Sequence, residues 1–276
     1  MEEKCLIDLV IWTLNSERYL EGVLSRATSV VPDNELGELI LVDGGSSDNT
    51  VRIARGLGWK TFFSEPGIGV QANEALRHVK NEVFGSIEHD VLLADDWFSL
   101  MKCFDCWNIG VVQGIRLPTH PVLRAFDKEI YDFHHEKLWD YGISLDNNMY
   151  KTDVIRAVGG FPVDDAVCID RGLRDRVNDA GFVWRIIPWV RSDHIRNNLW
   201  ETMKHDYRLL GRVSRDDQLV NMGRVASVGK LPFRVVELLV HTGDPRVLAY
   251  VVAHKFVRVG AVLKRYDIVR RARNEN

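Results

Sequence analysis

The sequence predicts an α/β fold: one Rossmann-like, mostly parallel central sheet flanked by helices, followed by a C-terminal helical extension. Three observations predict it. Short apolar runs without alternation, as expected of strands buried on both faces, are interleaved with stretches at helical spacing. Polar or glycine-bearing turns follow most of these runs. The charge also changes sign along the chain, which marks the extension. Residues 1–195 carry 20 Lys+Arg against 31 Asp+Glu, and residues 196–276 carry 16 against 8.

Leu6 to Trp12 is an apolar run broken only by Asp8 and reads as the first buried strand. Asn15 and Ser16 are turn and N-cap candidates, and Tyr19, Val23 and Leu24 fall on one helical face. Leu39 to Val42 is a second buried strand. It ends in the polar turn Asp43 to Thr50, which caps a helix running toward Gly58. Lys60 to Phe63 is a short third strand, and Gly67-Ile68-Gly69 opens a helix through Val79. Val83 to Ile87 is the fourth strand, Asp95-Asp96 caps a helix, and Gly110 to Val112 is apolar again. Residues 114–150 lack clear periodicity and are rich in aromatics and His, as a functional lid or acceptor-side wall would be. Helices are expected over Lys151 to Val158, Asp170 to Ala180 (closed by Gly181) and Trp200 to Leu210. Phe182 to Ile187 reads as a strand, with His194 in a polar turn beyond it. A boundary falls in the polar stretch Ser214 to Lys230. Two apolar-basic segments follow, Leu231 to Val240 and Val247 to Tyr266. The second has the pattern of a basic amphipathic helix. Such a helix can lie in a membrane interface, pack on the body, or form a dimer contact.

At 276 residues, with 46% hydrophobic residues, the chain suits one large domain or a domain with an appendage. The acidic N-terminus carries no secretory pattern, and no run suits a membrane span, so a cytoplasmic protein is expected. Among Cys5, Cys103, Cys106 and Cys168 the CxxC pair lacks a partner pair for zinc. It reads as buried thiols, with a local disulfide or redox pair as the alternative. His134-His135-Glu136 lacks the i, i+4 His spacing of a zinc helix, and no ligand role is expected of it.

Ile87-Glu88-His89-Asp90 carries the chemistry. Residues i and i+2 of a strand project to one face, so Glu88 and Asp90 aim at one point. Two hard oxygen ligands suit a divalent cation, which in turn suits a diphosphate. An ordinary acid-ended surface strand is the competing account. Ligands on parallel sheets bind beyond the carboxyl ends of the strands. Asn15, Asp43, Glu65, Glu88 and Asp90 all lie there, although turn chemistry alone would also place polar residues at these points.

These pieces, in this order, resemble the inverting nucleotide-sugar transferases of glycosyltransferase family 2, which have the GT-A fold. The resemblance covers roughly residues 5–212. Val10 to Asn15 resembles the family's opening strand and P-T-x-N turn, with Trp12 for Pro and Leu14 for the aromatic. Val42 to Thr50 is close to V-D-D-G-S-x-D-x-T, the most specific match. Glu88-His89-Asp90 stands at D-x-D, and Gly159-Gly160-Phe161 at G-G-F. Asp170 to Gly181 follows E-D…R-x-x-x-x-G, with Ile169 for the Glu. Ser192-Asp193-His194 and Lys204 to Arg212 resemble the His turn and basic-aromatic helix that follow.

The resemblance implies a donor half over about 1–113, an acceptor half over 114–213 and a basic helical extension over 214–276. It implies transfer of a mannose- or glucose-type sugar from a UDP- or GDP-sugar to a glycan hydroxyl or a lipid-linked phosphate. Thr13, Asn15, Asp43 and Glu65 would seat the nucleoside, with Glu88 on the ribose or sugar hydroxyls. Asp90, Glu88 and His194 would hold Mn2+ or Mg2+. Asp170 would be the general base, with Asp164 and Asp165 as runners-up, although a helix N-cap is its plain alternative. Arg174 and Arg176 would face the diphosphate or an anionic acceptor, or form ion pairs. A lipid phosphate is already anionic and would need no base, and the basic extension would then hold the enzyme peripherally at the cytoplasmic membrane face. The alternatives are a non-catalytic sugar-nucleotide-binding protein and a nucleotidyltransferase. The second usually carries a Gly-rich, basic loop after its first strand, where this chain has Trp12 to Ser16. No nucleic-acid partner is expected.

Overall fold

The computed structural model describes residues 6–105, 108–133, 143–163, 169–210 and 231–274. Cys5, Cys106, Cys168, His134-His135-Glu136, Asp164, Asp165 and the boundary at 214–230 lie outside them. The chain forms two compact units. One comprises Met1–Leu117 with Glu136–Ile195, the other Pro118–His135 with Arg196–Asn276.

The first unit is built on an eight-stranded sheet in the order β3-β2-β1-β4-β7-β6-β8-β5. Its strands are β1 (Ile7–Thr13), β2 (Leu36–Asp43), β3 (Lys60–Phe63), β4 (Val83–Ile87), β5 (Val91–Leu92), β6 (Ile109–Pro118), β7 (Asn148–Lys151) and β8 (Val183–His194). β3, β2, β1 and β4 run parallel. β7 runs antiparallel between β4 and β6.

Side chains of the parallel strands alternate between two cores, as the two-residue period of a strand requires. Ile7, Leu9 and Ile11 of β1 enter one core and Val10 the other. The first core is covered by α1 (Glu17–Ser29), through Leu20, Val23, Leu24 and Ala27, and by a 3₁₀ helix over Trp97–Asp105. The second is covered by α3 (Ile68–His78), α5 (Thr152–Ala157) and α6 (Ile169–Asp179), through Ala72, Ala75, Leu76, Ile155, Leu173 and Val177. α2 (Thr50–Gly56) adds Ala54 to the first. Asp8, buried in β1, is accounted for at the far edge of the sheet. Its carboxylate accepts the backbone N–H groups of Glu38 (2.7 Å), Lys80 (2.6 Å) and Asn81 (3.0 Å).

The second unit contains α4 (Pro121–Phe133), α7 (Leu199–Leu210), α8 (Leu231–Thr242) and α9 (Pro245–Asn274). Val122, Leu123, Leu238, Val247 and Tyr250 form its small core. Val236, Leu239, Val240 and Phe256 stay exposed. Among the described residues no helix is long and apolar enough to cross a membrane.

Three readings of the sequence are corrected here. The stretch 114–150 is partly regular, holding α4 and β7. The expected helix from Lys151 begins one residue later, after β7. His194 ends a twelve-residue strand rather than sitting in a turn. Pro188 near the middle of β8 obscured the strand's length, since proline removes a ladder donor.

Candidate functional site

Register brings the carboxyl edge of the parallel strands level. Thr13 pairs with Asp43 and Asp43 with Phe63, while Ile11 pairs with Ile87, the residue before Glu88. Two groups of polar residues form along this edge.

The first joins the turns after β1 and β2. The Asp43 carboxylate is buried and accepts from Thr13 Oγ1 (3.2 Å), Gly45 N (2.9 Å), Ser46 N (2.7 Å) and the Ser46 hydroxyl. Four donors match the acceptor capacity of a carboxylate. Asn15 has a left-handed backbone (φ 50°), which Asn tolerates. Its side-chain oxygen accepts Ser47 N at 2.9 Å, and its own N–H donates to Ser46 Oγ at 2.7 Å. The amino ends of α1 and α2 are capped reciprocally. Asp48 accepts Glu17 N (3.1 Å) and Thr50 N (3.0 Å), and Glu17 accepts Asn49 N (2.9 Å). Burial opposes the charge of Asp48, but the bonds from Thr50 and Glu17 prevail and hold its carboxyl below the usual range. Gln71, which the sequence reading missed, ties α3 to the same edge by donating to Thr13 O (2.8 Å) and Val42 O (3.2 Å). Glu65, beyond β3, is exposed.

The second group lies at the ends of β4 and β8. β5 pairs antiparallel with β8, Val91 opposite His194, and Ile195 N donates to Asp90 O at 2.8 Å. This pairing carries His194 back to Asp90, so that Nε2 lies 3.4 Å from Asp90 Oδ2. Both residues are 8% exposed. Glu88, Asp90 and His194 each offer a ligand atom within 4.8 Å of the others. Two carboxylates and an imidazole suit a divalent metal, and the imidazole favours Mn2+ over Mg2+.

Sequence reasoning missed two residues beside this cluster. Arg116 Nη1 donates to Glu88 Oε2 (2.6 Å) and to Asp146 Oδ1 (2.7 Å). Burial pushes the Asp146 carboxyl up, and the Arg116 charge opposes that shift. Asn147 fixes the segment. Its left-handed backbone (φ 62°) turns the chain, its amide donates to Ile115 O (2.9 Å), and its carbonyl accepts from Ser192 Oγ (2.8 Å).

Asp170 is the second residue of α6. Its carboxylate accepts the adjacent Arg171 N (2.8 Å), which is not the N2 or N3 donor of an N-cap bond. Burial raises its pKa, with Arg171 and the charge of Arg116 pulling the other way. The G-G-F turn that leads toward α6 is pinned to α3 by Asn73, which accepts Phe161 N (2.8 Å) and donates to Phe161 O (2.8 Å). Gly160 has φ 75°, and a Cβ there would stand 2.4 Å from Asn73 Oδ1. Arg174 pairs with Asp175 (2.7 Å), and Arg176 points to Gly160 O (3.4 Å).

The chain is similar to the mannosyltransferase of Pyrobaculum calidifontis in complex with GDP-mannose and Mn2+, at 17% identity and TM-score 0.67, over 96% of this chain and 88% of that one. It is similar to the glucosyl-3-phosphoglycerate synthase of Mycobacterium tuberculosis in complex with Mn2+, UDP and phosphoglyceric acid, at 18% identity and TM-score 0.54, over 71% and 73%. The same enzyme with Mg2+ and UDP gives 17% identity and TM-score 0.55, over 71% and 74%. No curated protein matches in sequence. Residues 8–118 match the family model described as Glycosyl transferase family 2. Over these residues the chain is similar to glycosyl transferase family 2, and its fold is GT-A.

Proposed function

We propose that the protein is an inverting, metal-dependent transferase that moves a mannose- or glucose-type sugar from a GDP- or UDP-sugar to an acceptor hydroxyl. The observation that carries this reading is the meeting of Glu88, Asp90 and His194 within 4.8 Å, where Glu88 and Asp90 follow β4 in the segment that matches the family model and His194 ends β8. These three residues would hold Mn2+ or Mg2+. The bound ion supplies Lewis-acid stabilisation of charge on the departing diphosphate. Residues 1–113 would hold the donor, 114–213 the acceptor side, and 214–276 would be an appended basic extension.

Asp43 and Asn15 order the two turns against which the nucleoside would lie. Of the four bonds to Asp43, that from Thr13 is the longest at 3.2 Å and the easiest to exchange for a ribose or base donor. Glu65, exposed beside this edge, adds a carboxylate for base or ribose donors. Asp170 takes the acceptor proton as the hydroxyl attacks the anomeric carbon. Its elevated pKa makes it a stronger base than an ordinary aspartate.

A lipid-phosphate acceptor is the second reading. It is favoured by the basic 196–276 segment and by Val236, Leu239 and Val240, exposed at i, i+3, i+4 on α8. Flotation with anionic liposomes at low salt tests it, and a protein that stays at the bottom of the gradient ends it.

The main test is a panel of UDP- and GDP-sugars with Mn2+, Mg2+ or EDTA, reading the nucleoside diphosphate released by slow hydrolysis. One metal-dependent donor, lost in Asp90→Ala, supports the reading. Neither turnover nor calorimetric binding with any donor would leave a non-catalytic scaffold instead.

A further inference from the structure

We propose that Arg116 and Asp146 are a positioning pair for Glu88: Asp146 anchors the guanidinium, and the guanidinium holds Glu88 where it completes the metal cluster. The inference rests on the metal reading of Glu88, Asp90 and His194.

The exposures of the three side chains carry it. Asp146 is 7% exposed, Arg116 31% and Glu88 35%. A carboxylate as buried as Asp146 is tolerated as an ion only beside a counter-charge, and Arg116 supplies one at 2.7 Å. The same nitrogen reaches Glu88 at 2.6 Å. Glu88 is the most exposed of the three, and its long side chain would otherwise sample many rotamers at a cost in order. It also stands where the family motif has the shorter Asp, so it reaches further from the strand and gains more from a tether. One carboxylate oxygen accepts from Arg116, and Glu88 still offers a ligand atom to the cluster.

The supports of Asp146 lie deep in the sheet. Neighbouring Asn147 is fully buried and bonded to Ile115 on β6 and Ser192 on β8. The chain from Asn147 through Asp146 and Arg116 to Glu88 thus ties a half-exposed ligand to the rigid part of the fold. Carboxylate ligands held in this way owe about tenfold or more of their metal affinity to the groups that orient them.

A plain electrostatic role predicts the opposite sign. Arg116 is a cation beside a cation site, so removing its charge should tighten metal binding if charge is all that it contributes. Mn2+ titrations followed by electron paramagnetic resonance, alone and with GDP or UDP, separate the two. Arg116→Gln should weaken Mn2+ binding about tenfold. In a Glu88→Ala background the same change should have almost no further effect, because the group through which Arg116 acts is gone. Tighter binding in Arg116→Gln, or equal weakening in both backgrounds, overturns the proposal. Thermal unfolding without metal reports whether the variant folds. If it does not, Asp146→Asn, which leaves the guanidinium in place, takes its position in the same cycle with the same expectation. A wild-type protein that binds no Mn2+ under either condition would fail the metal reading itself and this inference with it. Normal wild-type binding with an unchanged Arg116→Gln fails the inference alone.

Discussion

Asp43 and the pair Glu88–Asp90 look alike in sequence. Asp43 ends a strand of the sheet and Glu88 follows one, both at its carboxyl edge. Their surroundings differ. Asp43 is met by four donors from its own turn and from Thr13. Glu88 and Asp90 are gathered with His194, from a strand more than ninety residues away, with two carboxylates set close together. The first arrangement satisfies a charge internally. The second, although Arg116 donates to Glu88, still sets two carboxylates and an imidazole around one point, where a metal ion would fit. An acid at a strand end is therefore a weak signal by itself. What gathers around it separates the two: donors of its own turn and of Thr13 around Asp43, a second carboxylate and an imidazole around Asp90.

Substitutions can break this contrast. The largest effect is expected from Asp90→Ala. Donor hydrolysis should fall roughly 1,000-fold, about 4 kcal/mol of lost charge stabilisation, while the melting temperature holds. A loss of fold instead would make Asp90 a second scaffold acid and erase the distinction.

Asp170→Asn tests whether the site extends to α6. Turnover should drop about 100-fold or more, with donor affinity by calorimetry unchanged. A base acts when deprotonated, so wild-type kcat should rise with pH through a pKa above the ordinary aspartate range. The stability sign is the reverse. A carboxyl raised by burial favours the fold below its unfolded pKa, and that contribution is lost as pH rises through the folded value. Asp170→Asn should thus be more stable than wild type at neutral pH in a urea titration. An unchanged or lower midpoint would count against the buried carboxylate.

Asp43→Asn sharpens the other side. An amide cannot accept from donors on both sides of the group, so stability should fall by about 1–3 kcal/mol. Asp90→Asn, by contrast, should be neutral or stabilising, because it relieves like charges. Equal costs in the two would collapse the comparison.

The smallest effect is expected from Asp48→Ala, about 1 kcal/mol for a lost cap. Because the Asp48 carboxyl is held low in the fold, its contribution should persist above the ordinary aspartate pKa and fade as pH falls through the folded value.

The parallel half of the sheet was legible because each strand is a short apolar run between turns. β3 and β4 have the expected limits. The mixed half was not. β7 is four residues with a buried Asn at its head, so hydrophobic pattern does not mark it. In α4, Pro121 with Val122, Leu123, Phe126 and Ile130 does follow helical spacing, but the aromatic and His-rich neighbourhood hid it. The metal-ligand candidates were named from i, i+2 strand spacing and from resemblance. The strand spacing does not hold, because β4 ends at Ile87 and His89-Asp90 form a turn. It is the turn together with the β5–β8 pairing that gathers Glu88, Asp90 and His194. Arg116 and Asp146 were not legible, since their relation to Glu88 depends on pairing between strands far apart in the chain.

The reciprocal caps on α1 and α2 reach beyond stability. A helix amino end carries a partial positive charge and can seat a phosphate on its backbone N–H groups. Here a carboxylate already sits at each amino end, Asp48 at one and Glu17 with Asp48 at the other. Each carboxylate makes its helix a poorer seat for an anion beside the first two strands. The counter-charge for a diphosphate at this edge would then fall to the cation at Glu88, Asp90 and His194, and removing it should abolish donor affinity rather than merely slow turnover.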